Sequence, residues 1–173
     1  MSALLLLVFL LASQASIPRG INFSAQREQS NFSTESEVVH NISLPSAIRE
    51  SLLQDPFVRE TLREESQPLT SLPEDWTLCS VAHLATKTER DYVVVGQRFL
   101  TGAHGTHFWV FRETPDGIKL VLAAFADSLR IGQRRTNGFR DITTLYYTAV
   151  NDGEIRNVFD GSKYQSVRVP QFR

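Results

Sequence analysis

The chain has 173 residues, 42% of them hydrophobic and 21% charged, and a formal net charge of −1. That apolar content is enough for one packed core and excludes a wholly disordered chain. So small a net charge argues against a nucleic-acid partner. The single cysteine, Cys79, excludes an internal disulfide, so packing has to hold the fold; between two β-like neighbours it is expected as a buried small hydrophobe.

The charge is unevenly spread. Residues 16–75 hold ten carboxylates against five arginines, and the rest of the chain holds thirteen bases against nine carboxylates. An acidic leader thus precedes a basic folded part, and the two are expected to attract each other or an anion.

Met1-Ser2-Ala3 is followed by the apolar run Leu4–Leu11 and the small residues of Ala12–Ala15. The run has the length of a signal-peptide core and is too short to span a membrane. Ser13 and Ala15 fit a small-x-small cleavage site. The expected cut falls after Ala15, the expected location is secreted or periplasmic, and no membrane span is expected in the mature chain.

Residues 16–42 are rich in Ser, Asn, Gln and Glu and lack periodicity, which predicts a flexible acidic leader. Its N-x-S triplets, at Asn22, Asn31 and Asn41, are glycosylation acceptors only in a eukaryotic secretory pathway. Residues 43–173 are expected to form a single domain. Its first part, 44–66, is helical: Ile48, Leu52 and Leu53 share one face, Asp55-Pro56 restarts the helix, and Phe57, Val58 and Leu62 continue the stripe. Arg59, Glu60, Arg63 and Glu64 occupy the outer face, spaced for ion pairs.

Residues 76–170 are rich in β-branched and aromatic residues. Strands are predicted over 78–84, 92–97, 107–112, 118–126, 128–131, 142–150, 154–159 and 164–169. Pro115-Asp116-Gly117, Asn151-Asp152-Gly153 and Asp160-Gly161 supply hairpin turns with glycine at positive φ. Ile118, Leu120 and Leu122 alternate with Lys119 and Val121, which predicts one drier face with the first three residues inward. The fold expected is α+β: an antiparallel β-meander sheet of about seven to eight strands, preceded by one or two short helices.

Asn137-Gly138-Phe139-Arg140-Asp141-Ile142, followed by Phe159-Asp160-Gly161-Ser162-Lys163-Tyr164, resembles a C-terminal hairpin unit of exported bacterial proteins of unknown function. It is also similar to the FG-GAP and VCBS repeats of β-propellers. The resemblance covers residues 136–165 and implies a β-hairpin in an extracytoplasmic protein, with no particular activity. Those repeats bind calcium through several alternating aspartates. Only Asp141 is present here, so no metal residue carries over.

Three features remain as candidate sites. Arg130, Arg134, Arg135 and Arg140, with Gly132 and Gly138 between, form a loop cluster suited to a phosphate, a sulfated sugar or a carboxylate-rich partner. His104 and His107 beside Gly102 and Gly105 are the candidate metal ligands, with His40, His83 or an acid as a third; no motif places that third ligand, and no metal or other cofactor is expected. The aromatic residues Trp76, Phe99, Phe108, Trp109, Phe111, Phe125, Tyr146 and Tyr147 are the third. Adjacent Phe108 and Trp109 point to opposite sheet faces, so both faces are expected to be covered.

No nucleophile elbow, zinc-protease motif, phosphate loop or Cys-x-x-Cys is present. The reading favours an exported, non-catalytic binding or inhibitor-like module for an anionic ligand or a protein partner. The alternatives are a small secreted hydrolase using His104 or His107 with Asp141, and an accessory subunit of an extracytoplasmic complex.

Overall fold

The computed structural model describes residues 28–34, 36–147 and 152–168. The expected signal segment, the cut expected after Ala15, and Asn22 lie outside these residues. Among the described residues no helix is long and apolar enough to cross a membrane.

Two short helices come early: α1 (Ser46–Leu52) and α2 (Pro56–Glu64). Asp55 starts the second. Its Oδ1 accepts from the backbone N–H of Phe57 at 2.9 Å and of Val58 at 3.2 Å, while Pro56 fills the first position, where no N–H is needed. Ile48, Leu52, Val58 and Leu62 are buried together. Phe57, expected on the same stripe, is 37% exposed instead. On the outer face Arg63 pairs with Glu60 at 2.7 Å, and Arg59 reaches back to the Leu53 carbonyl.

Among the described residues all eight expected strands are present and antiparallel, and three short ones join them; the expected ends at 148–150 and 169 lie outside those residues. In chain order they are β1 (Asn31–Ser33), β2 (Asn41–Ile42), β3 (Thr77–Ala82), β4 (Asp91–Gly96), β5 (Thr101–Gly102), β6 (Gly105–Thr114), β7 (Gly117–Ala126), β8 (Ser128–Thr136), β9 (Phe139–Tyr147), β10 (Asp152–Phe159) and β11 (Tyr164–Arg168). The meander runs through two sheets. The first has the order β2-β3-β4-β6, with β7 also pairing β6 and β5 pairing the start of β6; the second has the order β1-β8-β9-β10-β11.

The switch between sheets falls at Asp127, the one residue between β7 and β8. Its N–H donates to the Leu145 carbonyl at 2.9 Å and its Oδ2 accepts from the Tyr147 N–H at 2.7 Å. Both bonds are to β9, so the corner is pinned to the second sheet.

The two sheets pack face to face over Phe32, Val93, Val95, Phe108, Val110, Leu129, Ile131 and Ile142. The helices cover the other face of the first sheet, where Ile48, Leu62, Val94, Trp109 and Phe111 are buried. The layers are therefore helix, sheet, sheet. Phe108 and Trp109 are both buried, one in each core, because the middle layer is covered on both sides.

Two expectations about the strands and turns need correction. In β7, Val121 is buried while Leu120 is 41% exposed. A β-bulge causes the reversal: Val110 faces Leu122 and Phe111 faces Leu120, so Val121 is an extra residue that resets the alternation. Gly153 lies inside β10 opposite Tyr146 and has no positive φ. The tight turn with two positive φ values is Asn137-Gly138, at 52° and 84°, which joins β8 to β9.

Residues 28–42, counted with the leader from the sequence, belong to the fold. Phe32 and Val38 are buried in the core between the sheets, β1 pairs with β8, and β2 pairs with β3. Asn31 is exposed on β1, whereas Asn41 uses its Oδ1 to accept from the Cys79 N–H at 3.1 Å.

Candidate anion-binding face

The four arginines singled out in the sequence stand on strands β8 and β9, and only Asn137-Gly138 is a turn between them. The structure divides them into two pairs.

Arg135 and Arg140 both bind the fold's own backbone, but only Arg140 is buried; Arg135 is exposed. Arg135 donates through Nη1 to the carbonyls of Leu84, Ala85 and Gly138 at 3.0, 2.6 and 2.8 Å. Arg140 is 7% exposed; its Nε donates to the Gly132 carbonyl at 2.8 Å, and its Nη1 lies 3.1 and 3.0 Å from the two oxygens of Glu28. A buried guanidinium with its donors spent on backbone and one carboxylate has nothing left to offer a ligand.

Arg130 and Arg134 face outward. Leu129, Ile131 and Ile142 point into the core between the sheets, so alternation puts Arg130, its partner Thr143 and the next partner Arg156 on the opposite face. They form one row across β8, β9 and β10. Arg130 and Arg156 stand about 10 Å apart, two strand spacings. Arg130 pairs with Glu154 at 3.5 Å and is half exposed.

Arg134 reaches this face through an irregularity. Ile131 pairs with Ile142 and Arg135 with Arg140, so Gly132, Gln133 and Arg134 stand opposite Asp141 alone. The extra residues bow the strand outward. Gly132 suits the bow: a Cβ there would lie 3.2 Å from the Asp141 carbonyl oxygen. The Nε of Arg134 lies 3.5 Å from Asp141 Oδ2, and the Nε of Arg156 lies 3.8 Å from the same oxygen. The side chain of Asp141 is 4% exposed, yet neither of its oxygens accepts a hydrogen bond in the structure. The face thus carries three guanidinium groups, Arg130, Arg134 and Arg156, against the carboxylates of Asp141 and Glu154.

Arg156 was not among the sequence candidates. It is distant in the chain and has no arginine neighbour there; only the strand register brings it beside Arg134.

No protein-family model, curated protein or solved structure matches this chain. The chemistry of its own side chains therefore carries the functional reading.

The residues of the C-terminal hairpin motif meet in space. Asn137 Nδ2 donates to the Phe159 carbonyl at 2.8 Å, the Tyr164 hydroxyl donates to the Arg140 carbonyl at 2.8 Å, and the rings of Phe139 and Phe159 are 4.2 Å apart. Arg112 lays its guanidinium over Phe139 at 4.1 Å and pairs with the buried Asp91 at 3.7 Å. Burial pushes the Asp91 carboxyl up, although the Leu84 N–H and Arg112 partly offset it. Asp160, in the turn before β11, accepts from the N–H groups of Lys163 and Ser162 and from Gln165, which hold its carboxyl down at about 2.

The histidines do not form one site. His104 is exposed in the turn before β6. His107 is half-buried, its ring stacked on Phe57 at 3.7 Å and 4.9 Å from Phe125. Burial lowers its pKa, against a weak bond to the Leu100 carbonyl and the nearby Asp55 charge. His83 Nδ1 is occupied by the Glu89 carbonyl at 2.7 Å. Among the described residues no three His, Cys, Asp or Glu side chains are grouped to hold a metal.

The acid facing His107 is Asp55, and Asp55 is already used by Trp109 Nε1 at 3.0 Å and by the start of α2. Asp141 is held instead between Arg134 and Arg156. Cys79 is buried on the helix-covered face, and burial pushes its thiol up to about 12.

Proposed function

We propose that this chain is an exported, non-catalytic binding module that holds an anionic ligand on the outer face of the second sheet. One observation carries the reading: Arg130, Arg134 and Arg156 stand together on that face with exposed or half-buried guanidinium groups, while Arg140 is buried and Arg135, though exposed, spends its Nη1 on three backbone carbonyls. Guanidinium forks give carboxylates, sulfates and phosphates paired, charge-assisted hydrogen bonds. A sheet face fixes the spacing of those forks, which a mobile loop does not.

Export is supported by the apolar run Leu4–Leu11 with Ser13 and Ala15 after it. The non-catalytic reading is supported by His107 and Asp55, whose contacts are aromatic stacking and helix capping and leave no base poised against a nucleophile.

The test is retention on a sulfated matrix. Replacing Arg130, Arg134 and Arg156 together by alanine removes about 1 kcal/mol per guanidinium, which is roughly a hundredfold in affinity. Replacing Arg63, Lys87 and Lys119 together, three exposed bases elsewhere, leaves retention within about threefold. Equal losses from the two triple variants would reject a specific face.

A further inference from the structure

We infer that the anion held on this face is an acidic saccharide, a sugar chain bearing hydroxyl groups beside its sulfates or carboxylates; this rests on the anion-binding reading above. The reason is Asp141. Its side chain is 4% exposed, it sits under Arg134 and Arg156, and neither oxygen has a hydrogen-bond donor. Two long ion pairs balance its charge but supply no close hydrogen bond, so this buried carboxylate keeps acceptor capacity that a ligand donor would fill.

An anion with acceptor oxygens alone answers the arginines and leaves Asp141 unsatisfied. Worse, it brings a second negative charge close to that carboxylate. A ligand that carries both functions answers both: its anionic group takes the guanidinium forks and a neighbouring hydroxyl donates to Asp141.

The way in is through Arg134, whose side chain is 69% exposed and is held to Asp141 through Nε alone. An incoming sulfate or carboxylate draws that guanidinium outward and opens Asp141 to the hydroxyl. The row from Arg130 to Arg156 spans about 10 Å, a distance that consecutive sugar rings bridge with their repeated anionic groups.

The test is calorimetric titration of the mature chain with two polyanions of equal sulfate content: a heparin oligosaccharide, which has hydroxyls, and poly(vinyl sulfate), which has none. The wild-type protein is expected to prefer the heparin oligosaccharide by about fivefold or more, the contribution of one charge-assisted hydrogen bond. Asp141→Asn keeps the shape and removes the charged acceptor. It is expected to abolish the preference while holding or raising the affinity for poly(vinyl sulfate).

Equal wild-type affinities for the two polymers would overturn the saccharide inference and leave anion binding standing. Binding of neither would overturn the anion reading itself. The wild-type ratio decides even where the variant fails to fold.

Discussion

The Nη1 of Arg140 lies 3.1 and 3.0 Å from the two carboxylate oxygens of Glu28, a residue 112 positions earlier in the chain. Glu28 Oε1 also accepts from the His83 N–H at 2.8 Å, and the Leu84 carbonyl accepts from the Arg140 N–H at 2.8 Å. One carboxylate thus ties the segment before β1 to both sheets. Arg140→Ala leaves Glu28 without its cation and the carbonyl of Gly132 without its donor. The expected loss is about 3 kcal/mol of unfolding free energy in urea, with Arg140→Lys recovering less than half. A loss below about 1 kcal/mol would show that the first strand is held by Phe32 burial and its pairing with β8, without help from the Glu28 ion pair.

His107 gives the fold an acid-sensitive element. Its pKa is lowered from the ordinary 6.5, chiefly by burial, so the folded chain favours the neutral ring. The unfolded chain therefore binds the proton first as pH falls. The stability this residue contributes is complete above about 6.5 and declines as pH drops from there toward the folded pKa. Thermal melts across pH 7.5 to 5 are expected to show this decline, and His107→Phe is expected to flatten it. An unchanged pH profile in the variant would assign the acid sensitivity to other groups.

Cys79 is predicted to be inert. Its thiol is pushed up to about 12 by burial and is 1% exposed. An alkylating reagent at pH 8 is expected to leave the native protein unmodified and to label it fully in denaturant, as intact mass reads directly. Rapid labelling of the native chain would contradict the packing of β3 beneath the helices.

Gly138 carries a conformational cost alone, whereas Gly105, at a φ of 154°, adds a steric one. Gly138 has a φ of 84° and open space where a Cβ would stand. Gly138→Ala is expected to cost about 1 kcal/mol, the penalty of a left-handed alanine. At Gly105 a Cβ would lie 2.7 Å from the Ala126 carbonyl oxygen, so Gly105→Ala forces β6 and β7 apart and is expected to cost more than twice as much. Equal costs would show that the β6–β7 ladder yields freely at that point.

Local chemistry explains what was readable in the sequence. Asp55-Pro56 announced a helix start because capping needs only neighbouring residues. The eight long strands followed from β-branched runs bounded by turn residues. Three things were not readable for a common reason: each depends on register. The bulge that buries Val121, the corner at Asp127 that divides the meander into two sheets, and the placement of Arg156 beside Arg134 are all set by which residue pairs with which. The arginine cluster shows the same division. Their proximity in sequence was plain, but whether each pointed into the core or outward depended on strand phase and on the irregularity opposite Asp141. The leader showed the limit of composition, since Phe32 and Val38 anchor a segment whose other residues are mostly polar.

The most direct measurement of the central claim is a map of backbone amide shifts as the protein is titrated with a heparin oligosaccharide. The anion-binding account predicts that the shifts concentrate on Arg130, Arg134, Asp141, Thr143 and Arg156. Shifts gathered instead around the exposed rings of Phe57, Phe99 and Phe125, or no shifts at all, would contradict it.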